Sequence, residues 1–203
     1  MSAEMWKIEN DLYAQGFQLI CGVDEAGRGP LAGPVCAAAV ILPLGVEIPG
    51  LNDSKKLSDK KRRELFPLIC EKATAYAIAF ADHKEIDEIN ILQATYLAME
   101  RAITQLPVKP DFALIDGNRA KDFGVPVETV VGGDGLSASI AAASVLAKVT
   151  RDDLMLKMAE QYPEYGFGIH KGYGTKAHYT ALAEHGPCPI HRMSFLKKLY
   201  GQK

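Results

Sequence analysis

Four carboxylates stand where apolar stretches of the chain end. Residues 17–23 run into Asp24 and Glu25, residues 111–115 run into Asp116, and residues 125–131 are followed by Gly132-Gly133-Asp134. Strand ends of one sheet are neighbours in space, and carboxylates gathered there in a partly dry cleft repel one another strongly. A hard cation relieves that repulsion, because magnesium takes oxygen ligands from carboxylates, water and phosphate. Two such ions roughly 3.5–4 Å apart can activate water and stabilise the leaving oxygen of a phosphodiester. Each acid taken singly can instead cap a turn or a helix N-terminus. Caps do not explain why strand after strand ends this way. The histidines, His83, His170, His178, His185 and His191, form neither HxxxH nor HExxH, which argues against a zinc site. His170 and His191 can stand beside the cleft and assist proton transfer, or serve as hydrogen-bonded structural groups.

The elements that must position these acids follow from hydrophobic periodicity. Residues 5–15 read as a short helix. Residues 17–24 and 34–42 read as strands around a glycine- and proline-punctuated loop over 25–33, which suggests a hairpin. Ser58 can cap a helix over 59–73, with Leu65, Leu68, Ile69 and Lys72 at helical spacing and Pro67 as a potential kink. Residues 74–81 read as a strand, and Asn90 can cap a helix over 91–105 with Leu92, Tyr96, Met99 and Ile103 on one face. Residues 111–116 and 125–131 are further strands. A long alanine-rich helix covers 136–159, where Ala138, Ala141, Ala142 and Ala143 permit close packing on a sheet. A shorter helix over 175–185 is capped by Thr175 and ended by Gly186. Strands first, then strands alternating with helices, predict an α/β fold with a mixed central sheet flanked by helices and a short helical C-terminal part.

The chain has 203 residues, 48% hydrophobic and 24% charged, which predicts one domain over 1–203 that needs no staple to fold. Four cysteines without CxxC spacing read as free thiols of a reducing compartment. No apolar run reaches the ~18 residues of a membrane span, and residues 1–16 carry no signal-peptide core, so the expectation is a cytoplasmic protein. Net charge is −2, unlike many nucleic-acid binders, but it is segregated. Residues 1–50 hold six acids and two bases, while 151–203 hold five acids and eight bases. Lys55, Lys56, Lys60, Lys61, Arg62 and Arg63 form a basic cluster, either a phosphate-facing surface or the solvated face of a helix.

The loop and the acids also belong to recognisable blocks. Gly22-Val23-Asp24-Glu25-Ala26-Gly27-Arg28-Gly29-Pro30-Leu31-Ala32-Gly33-Pro34 resembles the N-terminal signature of ribonuclease HII, a type 2 ribonuclease H. Asn52–Ser58, Leu114–Asn118, Gly133-Asp134 with Ala142–Asp152, Tyr165–His178, and Pro189–Arg192 with Ser194-Phe195 resemble its later blocks, in family order over about residues 17–196. One departure stands out: Gly132 occupies a position two before Asp134 that is often a lysine in that family.

The resemblance implies a ribonuclease H-like fold in which Asp24, Glu25, Asp116 and Asp134 are metal-binding catalytic carboxylates. It implies that Gly27, Arg28, Gly29 and Tyr173 recognise the ribonucleotide. Close backbone approach to a 2′-hydroxyl suits glycine, and a tyrosine can stack on the neighbouring sugar or base. Read without the resemblance, Tyr173 is core packing, Gly27 and Gly29 a plain turn, and Arg28 a loop brace. Asn52, Ser54, Lys55, Ser139 and Lys148 are weaker candidates for phosphate contact, and Lys148 can instead pair with an acid. The expected activity is an endoribonuclease that uses two Mg2+ or Mn2+ ions to hydrolyse RNA in RNA–DNA hybrids. It is expected to cut 5′ of single ribonucleotides in duplex DNA, leaving 3′-hydroxyl and 5′-phosphate ends, and to act as a monomer in ribonucleotide removal and primer processing. Two rivals are a resolvase- or integrase-like nuclease of the same broad fold and a non-catalytic hybrid-binding protein.

Overall fold

The computed structural model describes residues 3–201. Among these residues one sheet of five strands is present, ordered β3-β2-β1-β4-β5. They are β1 (Ile20–Ala26), β2 (Val35–Ile41), β3 (Ala75–Ala81), β4 (Phe112–Asp116) and β5 (Val127–Val130). Strands β1, β2 and β3 form an antiparallel meander, with Asp24 opposite Ala38 and Ala37 opposite Ala79. Strands β4 and β5 join it parallel to β1, with Val23 beside Ile115. The expected mixed sheet is therefore present, and the expected hairpin is the β1–β2 pair.

Two layers of helix cover the sheet. Helix α1 (Lys7–Ala14) precedes it, α2 (Asp59–Lys72) and α3 (His83–Thr104) flank β3, and α4 (Ala138–Gln161) follows β5. Side chains alternate across a strand, and that alternation sorts β1 cleanly. Cys21 and Val23 enter the core shared with α3, alongside Ala113 and Ile115 of β4. The opposite face of the sheet packs on α2 and α4, whose Ala138, Ala141, Ala142 and Ala143 are fully buried. Gly22 lies on that face, and it has to be glycine. A Cβ there would stand 2.1 Å from the Ser139 carbonyl carbon and 2.2 Å from the Ile140 nitrogen. The first turn of α4 thus rests directly on the β1 backbone.

Some details depart from the periodicity. Ser58 caps α2 as expected, and α2 runs through Pro67 to Lys72, but Leu68 is exposed and only Leu65 and Ile69 are buried. Asn90 does cap a helix, its side chain accepting from the Leu92 and Gln93 amides. A preceding half begins at His83, however, behind a capping box in which Asp82 and Glu85 satisfy each other's backbone donors. Asn90 joins the halves at φ 67°, ψ 165°, a backbone no helix interior adopts. Strand β1 extends two residues beyond Asp24, because Glu25 and Ala26 still pair with Ala37 and Cys36. The C-terminal part is helical: α5 (Phe167–His170), α6 (Lys176–His185) and α7 (Lys197–Tyr200). A third apolar cluster joins it to Leu31 and Ala32 of the β1–β2 loop and Met155 of α4. The four cysteines are free, and burial pushes the Cys21 thiol up to about 12, leaving it inert. Among the described residues no helix is long and apolar enough to cross a membrane.

Candidate metal and substrate site

Asp24 and Asp116 meet because β1 and β4 are parallel neighbours whose C-terminal ends point the same way. Both side chains lie on the α4 face. Asp134 arrives from the short turn Gly133–Gly135 that leads into α4, and carboxylate oxygens of Asp24, Asp116 and Asp134 lie within 4.8 Å of one another. Glu25 follows Asp24 by one residue, so alternation turns it to the opposite face, where its Oε1 lies 3.4 Å from the Arg28 guanidinium. The structure thus gathers three of the four expected acids tightly and sets the fourth beside them.

The cluster is electrostatically strained. Asp24 is 3% exposed; burial, then the charges of Glu25 and Asp116, push its carboxyl well above the usual range. Burial, with the Asp134 charge next, raises Asp116, although the Gly133 amide donates to its Oδ1 at 2.7 Å. Burial raises Glu25 as well, partly countered by Arg28. An oxygen-only donor set this crowded fits a hard divalent cation and no soft metal.

Gly132 offers Asp134 no cation, but one arrives from a distant part of the chain. Lys55 Nζ lies 3.0 Å from Asp134 Oδ2. Burial alone would lower the Lys55 ammonium, but the Asp134 hydrogen bond and the surrounding acids raise it instead. Lys55 is carried there by Arg62, whose guanidinium donates to the Ser54 and Leu57 carbonyls at 2.8 and 2.5 Å. Part of the basic cluster is therefore a brace, and Arg63 is likewise engaged with Asp59 and Asp153.

A cleft of about 210 Å³ opens from Asp24 and Glu25 along Gly27, Arg28 and Gly29 to Tyr173, with Ser54, Lys55 and Lys148 completing its lining. The Tyr173 ring faces Gly29, where an added Cβ would come 3.6 Å from its Cε1. Lys148 lines the cleft and also pairs with Asp152 at 2.8 Å. Two of the weaker candidates fall elsewhere. Ser139 is buried behind β1, its amide donating to Glu9, and Asn52 uses its side chain to hold the Asp53 amide.

Arg28 does not brace its loop. That work falls to two arginines to which sequence reasoning assigned no role. Arg192 donates to the Gly27, Arg28 and Gly33 carbonyls, and Arg151 to those of Ala32, Pro34 and Lys171. Both are at most 1% exposed, and among the described residues neither pairs with an acid. An arginine inside the alanine-rich pattern of α4 was the legible signal, since a buried guanidinium must find carbonyls or carboxylates.

Comparison with known proteins places this geometry. The family model described as Ribonuclease HII matches residues 21–198. The chain belongs to the ribonuclease HII family. It is 57% identical over 197 residues to the Ribonuclease HII of Endomicrobium trichonymphae, covering 96% of this chain and 93% of that one. Identity to the Ribonuclease HII of Dechloromonas aromatica is 60% over 177 residues, 87% of this chain and 90% of that one. The crystal structure of ribonuclease H2 from Pyrococcus horikoshii superposes with a TM-score of 0.73 at 25% identity, covering 91% and 99% of the two chains. As a ribonuclease HII family member the chain is a divalent-metal-dependent ribonuclease, and the buried acid cluster is compatible with that dependence.

A ribonuclease HII with acids held above their usual range carries a pH signature. Metal binding requires the ionised form, so protons compete with the cation. A raised carboxyl keeps its proton to higher pH than a free Asp or Glu at about 4. Mg2+ affinity therefore climbs with pH and levels off at higher pH than free carboxylates would give. Calorimetric Mg2+ titrations at several pH values check this; affinity independent of pH would contradict the strained cluster.

Proposed function

We propose that this ribonuclease HII hydrolyses the RNA strand of RNA–DNA hybrids and cuts on the 5′ side of single ribonucleotides in duplex DNA. The products carry 3′-hydroxyl and 5′-phosphate ends. The observation that supports this reading is one cleft that begins at Asp24, a member of the Asp24–Asp116–Asp134 cluster, and runs past Gly29 to Tyr173. Asp24, Asp116 and Asp134, with Glu25 beside them, would hold two Mg2+ or Mn2+ ions, which supply an activated water and stabilisation of the departing 3′ oxygen. Gly29 leaves room for the ribose 2′-hydroxyl to approach the backbone, while Gly27, where a Cβ would collide with the Arg151 side chain, lines the same cleft with its backbone. Tyr173, 42% exposed, offers its ring to the adjoining sugar or base. Ser54, Lys55 and Lys148 line the path a phosphodiester would follow. The associated duties are ribonucleotide removal from DNA and RNA primer processing, carried out in the cytoplasm by a monomer of one domain.

Three labelled duplexes test the proposal: one with a single ribonucleotide, one long hybrid, and one all DNA, each with Mg2+, Mn2+ or chelator. The expected result is metal-dependent cutting of the first two only. Cutting of all-DNA duplex, or cutting in chelator, would overturn it.

A further inference from the structure

Tyr173 sits at the end of a strained segment. Lys171 has φ 52° and Gly172 φ 86°, and a Cβ on Gly172 would meet the Ala32 carbonyl at 2.7 Å. Such a backbone persists only where its surroundings over-determine it. Arg151 holds the Lys171 carbonyl and the Leu31 amide the Gly172 carbonyl, and histidines supply the rest. The Gly172 amide donates to His170 Nδ1 at 3.2 Å, and His178 Nδ1 lies 2.9 Å from the Tyr173 carbonyl. His170 and His178 stack with centroids 4.6 Å apart. Behind them, His178 Nε2 lies 3.0 Å from His191 Nε2, and the Cys188 amide donates to His191 Nδ1 at 2.9 Å.

The shortest contacts assign the protons of His178 and His191. His191 Nδ1 also lies 3.1 Å from Cys188 Sγ and 3.2 Å from the Cys188 carbonyl, but its shortest contact is the Cys188 amide, which only donates, so Nδ1 accepts and Nε2 carries the hydrogen. That hydrogen is donated to His178 Nε2, which leaves the His178 hydrogen on Nδ1, aimed at the Tyr173 carbonyl. Burial favours the neutral form of both rings, pushing His191 down to about 4 and lowering His178. The ordering is local in origin. Thr175 caps α6 by accepting from the His178 amide, which seats the ring below Tyr173. His191 precedes Arg192, the brace of Gly27 and Arg28. The two sides of the cleft are thus fixed by adjacent residues of one strap.

We infer that buried His178, through its Nδ1 donor to the Tyr173 carbonyl, positions Tyr173 and thereby sets the preference for a ribonucleotide over a deoxyribonucleotide. The inference rests on the proposed role of the cleft. His178 is a positioning residue, since it reaches the substrate only through Tyr173.

Amide substitutions separate its two nitrogens. His178→Asn keeps a donor at the Nδ1 position and loses the contact to His191. His178→Gln keeps reach toward His191 and loses the donor to Tyr173. Both sacrifice stability, but only the second should lower selectivity. Selectivity is read twice: as kcat/KM on the single-ribonucleotide duplex, and as binding of that duplex relative to all-DNA duplex by fluorescence anisotropy. His178→Gln should reduce both by about 10–100-fold, as loss of a group that orients another does. In a Tyr173→Ala background the same substitution should change them by less than about twofold, the limit of additivity error. His178→Asn should stay near wild type in both. Equal losses in the Tyr173→Ala background, or a His178→Asn variant as impaired as His178→Gln, would overturn the inference. If His178→Gln does not fold, the His178→Asn result decides alone. Wild-type protein that fails to cut the ribonucleotide duplex would instead sink the functional proposal, a separate outcome.

Discussion

Replacing Asp24 with Asn lowers cleavage by about 10³-fold or more, ~4 kcal/mol of barrier, while raising the melting temperature of the metal-free protein. The two effects share one cause. Asp24 is buried on β1 between Glu25 and Asp116, and its carboxyl is raised by burial and by those charges. A folded-state value above the unfolded one means the charged form is disfavoured by folding. That group therefore subtracts stability once pH exceeds the unfolded value, and the penalty grows until pH passes the raised folded value. Asparagine removes the charge yet still accepts the Glu25 amide, which Asp24 Oδ1 accepts at 2.7 Å. For a chain of this size ~1 kcal/mol corresponds to about 2–4 °C. Saturating Mg2+ should reverse the ranking, because only the wild type retains all its ligands. Single-turnover kinetics and melts with and without Mg2+ check both halves. A variant that cuts at the wild-type rate would remove Asp24 from the metal site.

Gly22→Ala is the largest expected effect on stability. Its Cβ would collide with the backbone of Ser139 and Ile140, so no rotamer change can relieve it. Either α4 lifts from the sheet or β1 bends. Overpacking of this kind costs ~3 kcal/mol or more, about 6–12 °C in melting temperature. The same displacement separates Asp24, two residues along β1, from Asp134, which precedes α4 by one short turn. Mg2+ affinity should therefore fall together with stability. A variant that melts with wild type and binds Mg2+ equally well would show that β1 and α4 are not in the contact described.

Much of this arrangement could be read before the structure. The Ser58 and Thr175 caps and the alanine-rich helix all follow from local rules, and each stands where those rules put it. Period-two alternation also held the answer for Glu25: neighbours on a strand face opposite ways, so Asp24 and Glu25 could not enter one pocket equally. The rest depended on long-range pairing. Lys55 and Asp134 lie 79 residues apart, so nothing near Asp134 announces the lysine that neutralises it. The first half of α3 has a legible capping box at Asp82, but Asn90 masks it by opening a second cap within the same helix. Arg151 and Arg192 stood inside recognisable blocks, and their role became visible only once the carbonyls of the 27–34 loop were placed against them.

Those carbonyls have a consequence for how the molecule is made. The bonds from Arg192 to Gly27, Arg28 and Gly33 span 159 to 165 residues. On the ribosome, Asp24, Asp116 and Asp134 all emerge while the strap that holds the neighbouring loop is still unsynthesised. The nascent chain can bring its acids together before it can clamp the loop that lies against them, and that clamp closes only once Arg192 has been added.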